Sequence, residues 1–258
     1  MRTCRFFYTH GFAALLSHNI SLETEEDLVR FLRPFQKCAD ERCRFVRSLD
    51  LLFPDLPESI APQLAHALRR MSNLKTLLVS FSEDIISSHP DLLDAFADLP
   101  SLHKLDLRYA GVRAVEMLRS LRSKLAVVHI GFRTDDDSDD DTSFDPIPED
   151  NLKVCYPGPA VLLASSRTSL QELSSSSWAT PDVQTLPDAM LIYPHMYRLS
   201  VVSPVFPRTM AFIRTYLNLT HFTFSLDRQP LTFHPSNLGP WEAWHARNIS
   251  EQVTSSHT

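Results

Sequence analysis

The stretch Pro100–Gly111, PSLHKLDLRYAG, sets apolar side chains at Leu102, Leu105 and Leu107. The same apolar-x-x-apolar-x-apolar arrangement stands 28 residues earlier at Leu74, Leu77 and Val79, and 28 earlier again at Val46, Leu49 and Leu51. It returns at Leu125, Val128 and Ile130. Weaker copies follow at Leu170 and Leu173 (with Ser175 third), at Met196, Leu199 and Val201, and at Leu219, Phe222 and Phe224. Between middle positions the steps are 28, 28, 23, 45, 26 and 23 residues.

In a chain that is 43% apolar, chance gives such a triple at about 8% of positions, so single matches carry nothing and a fixed period must carry the weight. The spacing is even apart from one long step, and that step holds an acidic insertion. Asn73, Ser101, Ser169 or Asn218 precedes the first apolar residue in four of the seven copies. Helical patterns fill the gaps. Ile60, Leu64, Leu68 and Met71 share one helical face, as do Leu92, Phe96 and Leu99, and Val112, Val115, Leu118 and Leu121. Pro54, Pro57, Pro90 and Pro207 stand before or at the start of such segments, where proline is tolerated.

A short strand, a turn, a helix and a turn therefore recur. One such unit cannot bury its own apolar face, so the units must stack, which builds a core between a parallel sheet and an outer helical layer. The L-x-L alternation sends two side chains inward and their neighbours outward. The sequence thus predicts an α/β leucine-rich-repeat solenoid over residues 17–226, with the sheet on the concave face and helices on the convex one. Seven strands would span roughly 30 Å. An ordinary α/β domain with leucine-rich strands is the competing architecture.

Composition narrows the function classes. The formal charge of −6 is misleading, because Asp135–Asp150, DDDSDDDTSFDPIPED, carries nine acidic residues and no basic one. Without them the body stands at +3, too balanced for the basic field that holds nucleic acid. The acidic insertion, 134–150, reads as a disordered solvated loop. It fits calcium poorly, since Asp140 and Pro146 stand where an EF-hand needs Gly and Glu. Ser138, followed by three Asp, suits an acid-directed kinase.

The four cysteines, Cys4, Cys38, Cys43 and Cys155, are too sparse for a disulfide framework and lack a second pair at zinc spacing. They read as reduced, part-buried thiols in a cytoplasmic or nuclear protein. No apolar run reaches membrane-spanning length. No Walker loop, G-x-S-x-G or H-E-x-x-H is present, so neither an enzyme nor a cofactor or metal is expected. The segment 227–258 breaks the period; Trp241 and Trp244 suit a terminal cap, and the polar end suits a disordered tail.

Ahead of the repeats, RTCRFFYTHGFAALLSHNISLETEEDLVRFLRPF reads as two helices around a strand holding Ile20 and Leu22. Glu25 and Glu26 open the second helix, whose apolar face is Leu28, Phe31, Leu32 and Phe35. This order resembles fungal F-box proteins with leucine-rich repeats, in which a phrase like RTCRFFYTHGFAALL closes the F-box, a strand like HNISL follows, and a phrase like VRSLDL starts the repeats. The likeness runs from Arg2 to about Leu226. Only Arg2 to about Leu16 corresponds to the F-box itself, so residues 1–16 read as an N-terminally truncated, F-box-like helical remnant.

The resemblance implies a substrate receptor of a Skp1–cullin–F-box ubiquitin ligase. The remnant, with Arg2, Phe6 and Phe7, would meet the Skp1 adaptor, and the repeat surface would hold an unknown target protein. The alternative is a free-standing repeat scaffold with no adaptor docking. The outward strand positions are Ser48, Asp50, Thr76, Ser80, Lys104, Asp106, Arg108, His129, Glu172, Ser174, Arg198, Ser200, His221 and Thr223. Among them Lys104, Asp106, Arg108, His129, Glu172, Arg198 and His221 are the candidate partner-binding residues.

Overall fold

A computed structural model of the chain describes residues 11, 13–37, 42–133, 162–176, 192–202 and 218–225, all within the unit Met1–Asp227. The strands are β1 (Asn19–Leu22), β2 (Ser48–Leu51), β3 (Thr76–Val79), β4 (Lys104–Ala110), β5 (Val127–Phe132), β6 (Glu172–Ser176), β7 (Arg198–Val202) and β8 (His221–Ser225). They form one eight-stranded sheet in which order in space is order in sequence. Every neighbouring pair is parallel. Seven gaps of about 4.8 Å make it about 34 Å across. The helices are α1 (Glu25–Lys37), α2 (Ala61–Arg70), α3 (Ser82–Ser87), α4 (Pro90–Ala97) and α5 (Val112–Ser120).

The triplets decide the register. Leu49, Leu77, Leu105, Val128 and Leu173 stand opposite one another in turn, and all are buried. Leu51, Val79, Leu107, Ile130, Ser175 and Val201 form the second buried row. A strand's side chains alternate between faces, so from β2 to β7 one face of the sheet is apolar except at Ser175. Against it lie Leu28 and Leu32 of α1, Leu64 and Leu68 of α2, Leu92 and Phe96 of α4, and Ala114 and Leu118 of α5, in one continuous core. Each such leucine contributes about 1.5–3 kcal/mol relative to exposure. Pairing is unbroken across the long sequence step, since Val128 meets Leu173.

Every strand from β3 to β8 begins with the same bond pattern. The carbonyl just before one strand accepts two successive N–H groups from the next: Arg47 from Lys75 (2.8 Å) and Thr76 (3.0 Å), Lys75 from His103 (2.8 Å) and Lys104 (2.9 Å). His103, Ala126, Gln171 and Tyr197 continue the ladder. The recurring Asn and Ser reinforce it. Asn73 Nδ2 donates to Arg44 O (2.8 Å), Asn218 Nδ2 to Pro194 O (2.6 Å) and Ser169 Oγ to Leu125 O (2.8 Å), each satisfying a carbonyl of the preceding turn.

Helix starts follow the capping rules. Thr24 Oγ1 accepts from Asp27 N (3.2 Å) and Glu25, Glu26 and Asp27 fill the first turn of α1. His89 Nδ1 accepts from Asp91 N (3.2 Å) ahead of Pro90, the first residue of α4. The start of α5 is capped from a different unit. Glu83 Oε2 accepts from Gly111 N (3.0 Å) and Ala114 N (3.1 Å), and Oε1 from Arg113 N (3.0 Å). A Cβ at Gly111 would lie 2.6 Å from Glu83 Cδ, so the glycine makes room for that carboxylate.

The strand expected around Ile20 and Leu22 is present as β1 and pairs with the first repeat strand, making eight strands among the described residues. Several expectations are corrected. Helix α3 was not foreseen; its six residues, with Ile85 and Ile86 buried, are too few to show a period. Val112 is 61% exposed, because Ala114 and Met117 take the inner face of α5 beside Val115 and Leu118. Ser80 is buried rather than outward. Register also slips between Leu107 and Ala110, where Tyr109 adopts φ 52° and stacks on Phe81 at 5.5 Å. The acidic insertion, the side chains of Phe222 and Phe224, Pro207, and the segment 228–258 with Trp241 and Trp244 lie outside the described residues.

Candidate functional site

The face opposite the core carries the other half of each strand. Two rows cross it. Asn19, Ser48, Thr76, Lys104, Val127, Glu172, Arg198 and His221 stand side by side in one. Ser21, Asp50, Leu78, Asp106, His129, Ser174, Ser200 and Thr223 form the second. All are exposed or half-buried, whereas their immediate strand neighbours on β2 to β7 are buried. Leu78 belongs here too, as the residue between buried Leu77 and Val79, although it is apolar and is not among the outward polar positions read from the sequence.

The structure gathers most of the candidate residues into two linked charge clusters. In the first, Asp106 Oδ1 lies 3.5 Å from Arg108 Nε on the same strand, and Oδ2 lies 3.5 Å from His129 Nδ1 on the next. Burial alone would raise the Asp106 carboxyl, whose side chain is only 15% exposed. The hydrogen bond from His129 and the charges of Arg108 and His129 outweigh it and hold the group below the usual carboxylate range.

In the second cluster Glu172 accepts a short hydrogen bond from the Tyr197 hydroxyl, and its Oε2 lies 3.3 Å from Arg198 Nη1. The tyrosine bond, helped by the Arg198 charge, lowers the Glu172 carboxyl, and the same bond raises the Tyr197 phenol. The charge of His129 also favours ionised Glu172, which joins the two clusters across β5 and β6. Lys104 is exposed at the head of β4 in the same row as Glu172, with no ion pair among the described residues. His221 stands next to Arg198 in register; its Nδ1 lies 2.9 Å from Thr220 Oγ1.

Tyr197 is a member of the Glu172 cluster that the sequence pattern does not reveal. It sits one position before β7, outside the outward strand positions, and its role follows from the Gln171 carbonyl that fixes its backbone beside Glu172. At the other end of the face Asn19 Nδ2 donates to Asp50 Oδ2 (2.6 Å) and Ser48 Oγ donates to Asn19 Oδ1 (2.6 Å), so β1 and β2 offer a neutralised polar corner. Arg2, Phe6 and Phe7 lie outside the described residues, as do Cys4, Cys38, Cys155 and Ser138. Cys43 is buried, which pushes its thiol up to about 11 and keeps it unreactive.

Among the described residues no group of three His, Cys, Asp or Glu side chains could hold a metal ion, and no helix is long and apolar enough to cross a membrane. No family model matches the chain, and no curated protein is significantly similar to it. The open face is thus a broad, mostly polar surface with two linked charge clusters, laid on a parallel sheet.

Proposed function

We propose that the chain is a leucine-rich-repeat solenoid that binds a partner protein on the open face of its sheet, and that it serves as the substrate receptor of a Skp1–cullin–F-box ubiquitin ligase in the cytoplasm or nucleus. The observation that supports binding most is the regular open face itself. Successive strands hold charged side chains at fixed spacing in pre-formed pairs, so their ordering cost is met before a partner arrives. Stacked-unit proteins commonly bind through such a surface. The receptor binds and performs no chemistry itself; the adaptor reading rests on the F-box-like phrase from Arg2 to about Leu16.

Co-expression with recombinant Skp1 followed by gel filtration tests the adaptor half: a receptor co-elutes with Skp1, and a free-standing scaffold does not. Proximity labelling in the native host, repeated with Lys104→Glu/Arg108→Glu, tests the face. Loss of specific labelled proteins at an unchanged melting temperature is expected. An unchanged labelling pattern would remove this cluster as the partner site.

A further inference from the structure

The balanced net charge of the body hides a segregation that the fold imposes. Helices α1, α2 and α5 each lie between the end of one strand and the start of the next, and α3 and α4 together fill the connection from β3 to β4. Helix N-termini favour acids and C-termini favour bases; α1, α3 and α4 open on acids, and α2 and α5 end on Arg69, Arg70 and Arg119, which sorts part of the charge onto opposite rims. The segments that follow β1, β2 and β3 carry Glu23, Glu25, Glu26, Asp27, Asp55, Glu58, Glu83 and Asp84 with no Lys or Arg. The segments that precede β2 to β6 (42–47, 71–75, 98–103, 121–126 and 167–171) reverse this: their one carboxylate is Asp98, and Arg122 pairs with it at 3.0 Å.

On that rim Arg44, Arg47, Lys75, Lys124 and Arg167 are all exposed, and Lys104 opens β4 beside them. None of these six takes part in an ion pair among the described residues. The backbone bonds from Lys75 N to Arg47 O and from His103 N to Lys75 O (both 2.8 Å) align the row strand by strand. From β2 to β6 it runs four strand gaps, about 19 Å, the length of roughly six extended residues.

We propose that this rim docks an extended Asp/Glu-rich segment of a partner protein. The occupant follows from charge complementarity: a line of cations at strand spacing with no ion pair among the described residues, next to the open face, on a rim whose one carboxylate, Asp98, is taken up by Arg122. The inference rests on the proposed function only in taking the partner to be a protein, and its test uses rim residues outside the open-face clusters, so either can fail alone.

The test is fluorescence anisotropy of a labelled deca-glutamate peptide with the full chain at low ionic strength. Saturable binding that weakens steeply with added salt is expected. Lys75→Glu/Lys124→Glu should weaken it at least tenfold and Lys75→Gln/Lys124→Gln by less, whereas Arg113→Glu near the other rim should change it less than twofold. Thermal melts confirm that each variant is folded. Absence of saturable binding, or equal binding by Lys75→Glu/Lys124→Glu, would overturn the proposal. Equal or stronger competition by a ten-nucleotide oligothymidylate or by anionic vesicles would overturn it too, by making the rim an unselective polyanion site. Binding that emerges only when Asp135–Asp141 are neutralised would assign the rim to the chain's own acidic run and likewise refute it.

Discussion

The contact between Glu83 and Gly111 allows a sharp test of how one unit locks to the next. Three N–H groups at the start of α5 have the Glu83 carboxylate as acceptor. Hydrogen bonds to a charged group contribute about 1.5–3 kcal/mol each and a lost cap costs about 0.5–2 kcal/mol. Water can reach the half-exposed site and replace part of this, so Glu83→Ala should cost about 2 kcal/mol. Gly111→Ala should cost about the same by a different route. Its Cβ would fall 2.6–2.8 Å from Glu83 Cγ, Cδ and Oε2, and the flexible carboxylate must swing away and abandon the cap.

Gly111 itself has φ −119° and ψ −150°, extended geometry that alanine adopts without strain. The double variant should therefore lose about 2 kcal/mol rather than about 4, a coupling of about 2 kcal/mol in a double-mutant cycle. With Glu83 already gone, Gly111→Ala should be neutral or slightly stabilising, since alanine restricts the unfolded chain by about 0.4–1 kcal/mol. Urea unfolding at constant m-value measures all four corners. Additive losses would refute the reasoning, because they would place the glycine requirement in something other than the Glu83 cap.

Three further outcomes are expected. Ser175 is buried in a row otherwise made of Leu, Val and Ile, and its hydroxyl has no hydrogen-bond partner among the described residues; Ser175→Val should stabilise by about 1 kcal/mol or more and raise Tm by ~2–4 °C in calorimetry, and a lowered Tm would contradict it. The Asp106 carboxyl is depressed in the fold, so its stabilisation is full above the unfolded value near 3.9 and fades as pH falls through the folded one. Asp106→Asn should accordingly narrow its stability gap to the wild type below about pH 4, and a constant gap in acid denaturation would contradict this. Tyr197→Phe removes the bond that lowers Glu172, so carbon-detected NMR should find the Glu172 carboxyl titrating at higher pH, with no change if Arg198 alone sets it.

Much of this architecture was legible in the chain because each strand repeats a period-two pattern at a regular step. Leu49, Leu77 and Leu105 are 28 residues apart and stand opposite one another in the sheet. Even the 45-residue step kept register, since an insertion between strands adds chain without shifting the pairing of Val128 with Leu173. What the pattern could not show arises from contacts between units. Glu83 and Tyr197 act on groups 25 to 31 residues away in sequence, and no local period reports such pairs. Val112 misleads for the opposite reason: its hydrophobicity and spacing suggest the inner helical face, but the helix turns it outward. The polar face was readable as a set of residues, while its division into an Asp106 cluster and a Glu172 cluster required side-chain geometry.

Strand order is the point on which the fold, the open face and the charged rim all depend. Spin labels at Ser48 paired in turn with Glu172, Arg198 and His221 report it by double electron–electron resonance. The sequential parallel sheet gives separations of four, five and six strand gaps, rising by about 5 Å per step from about 19 Å. Distances that fail to increase in that order, as they would if later strands joined the other edge of the sheet, would contradict the account.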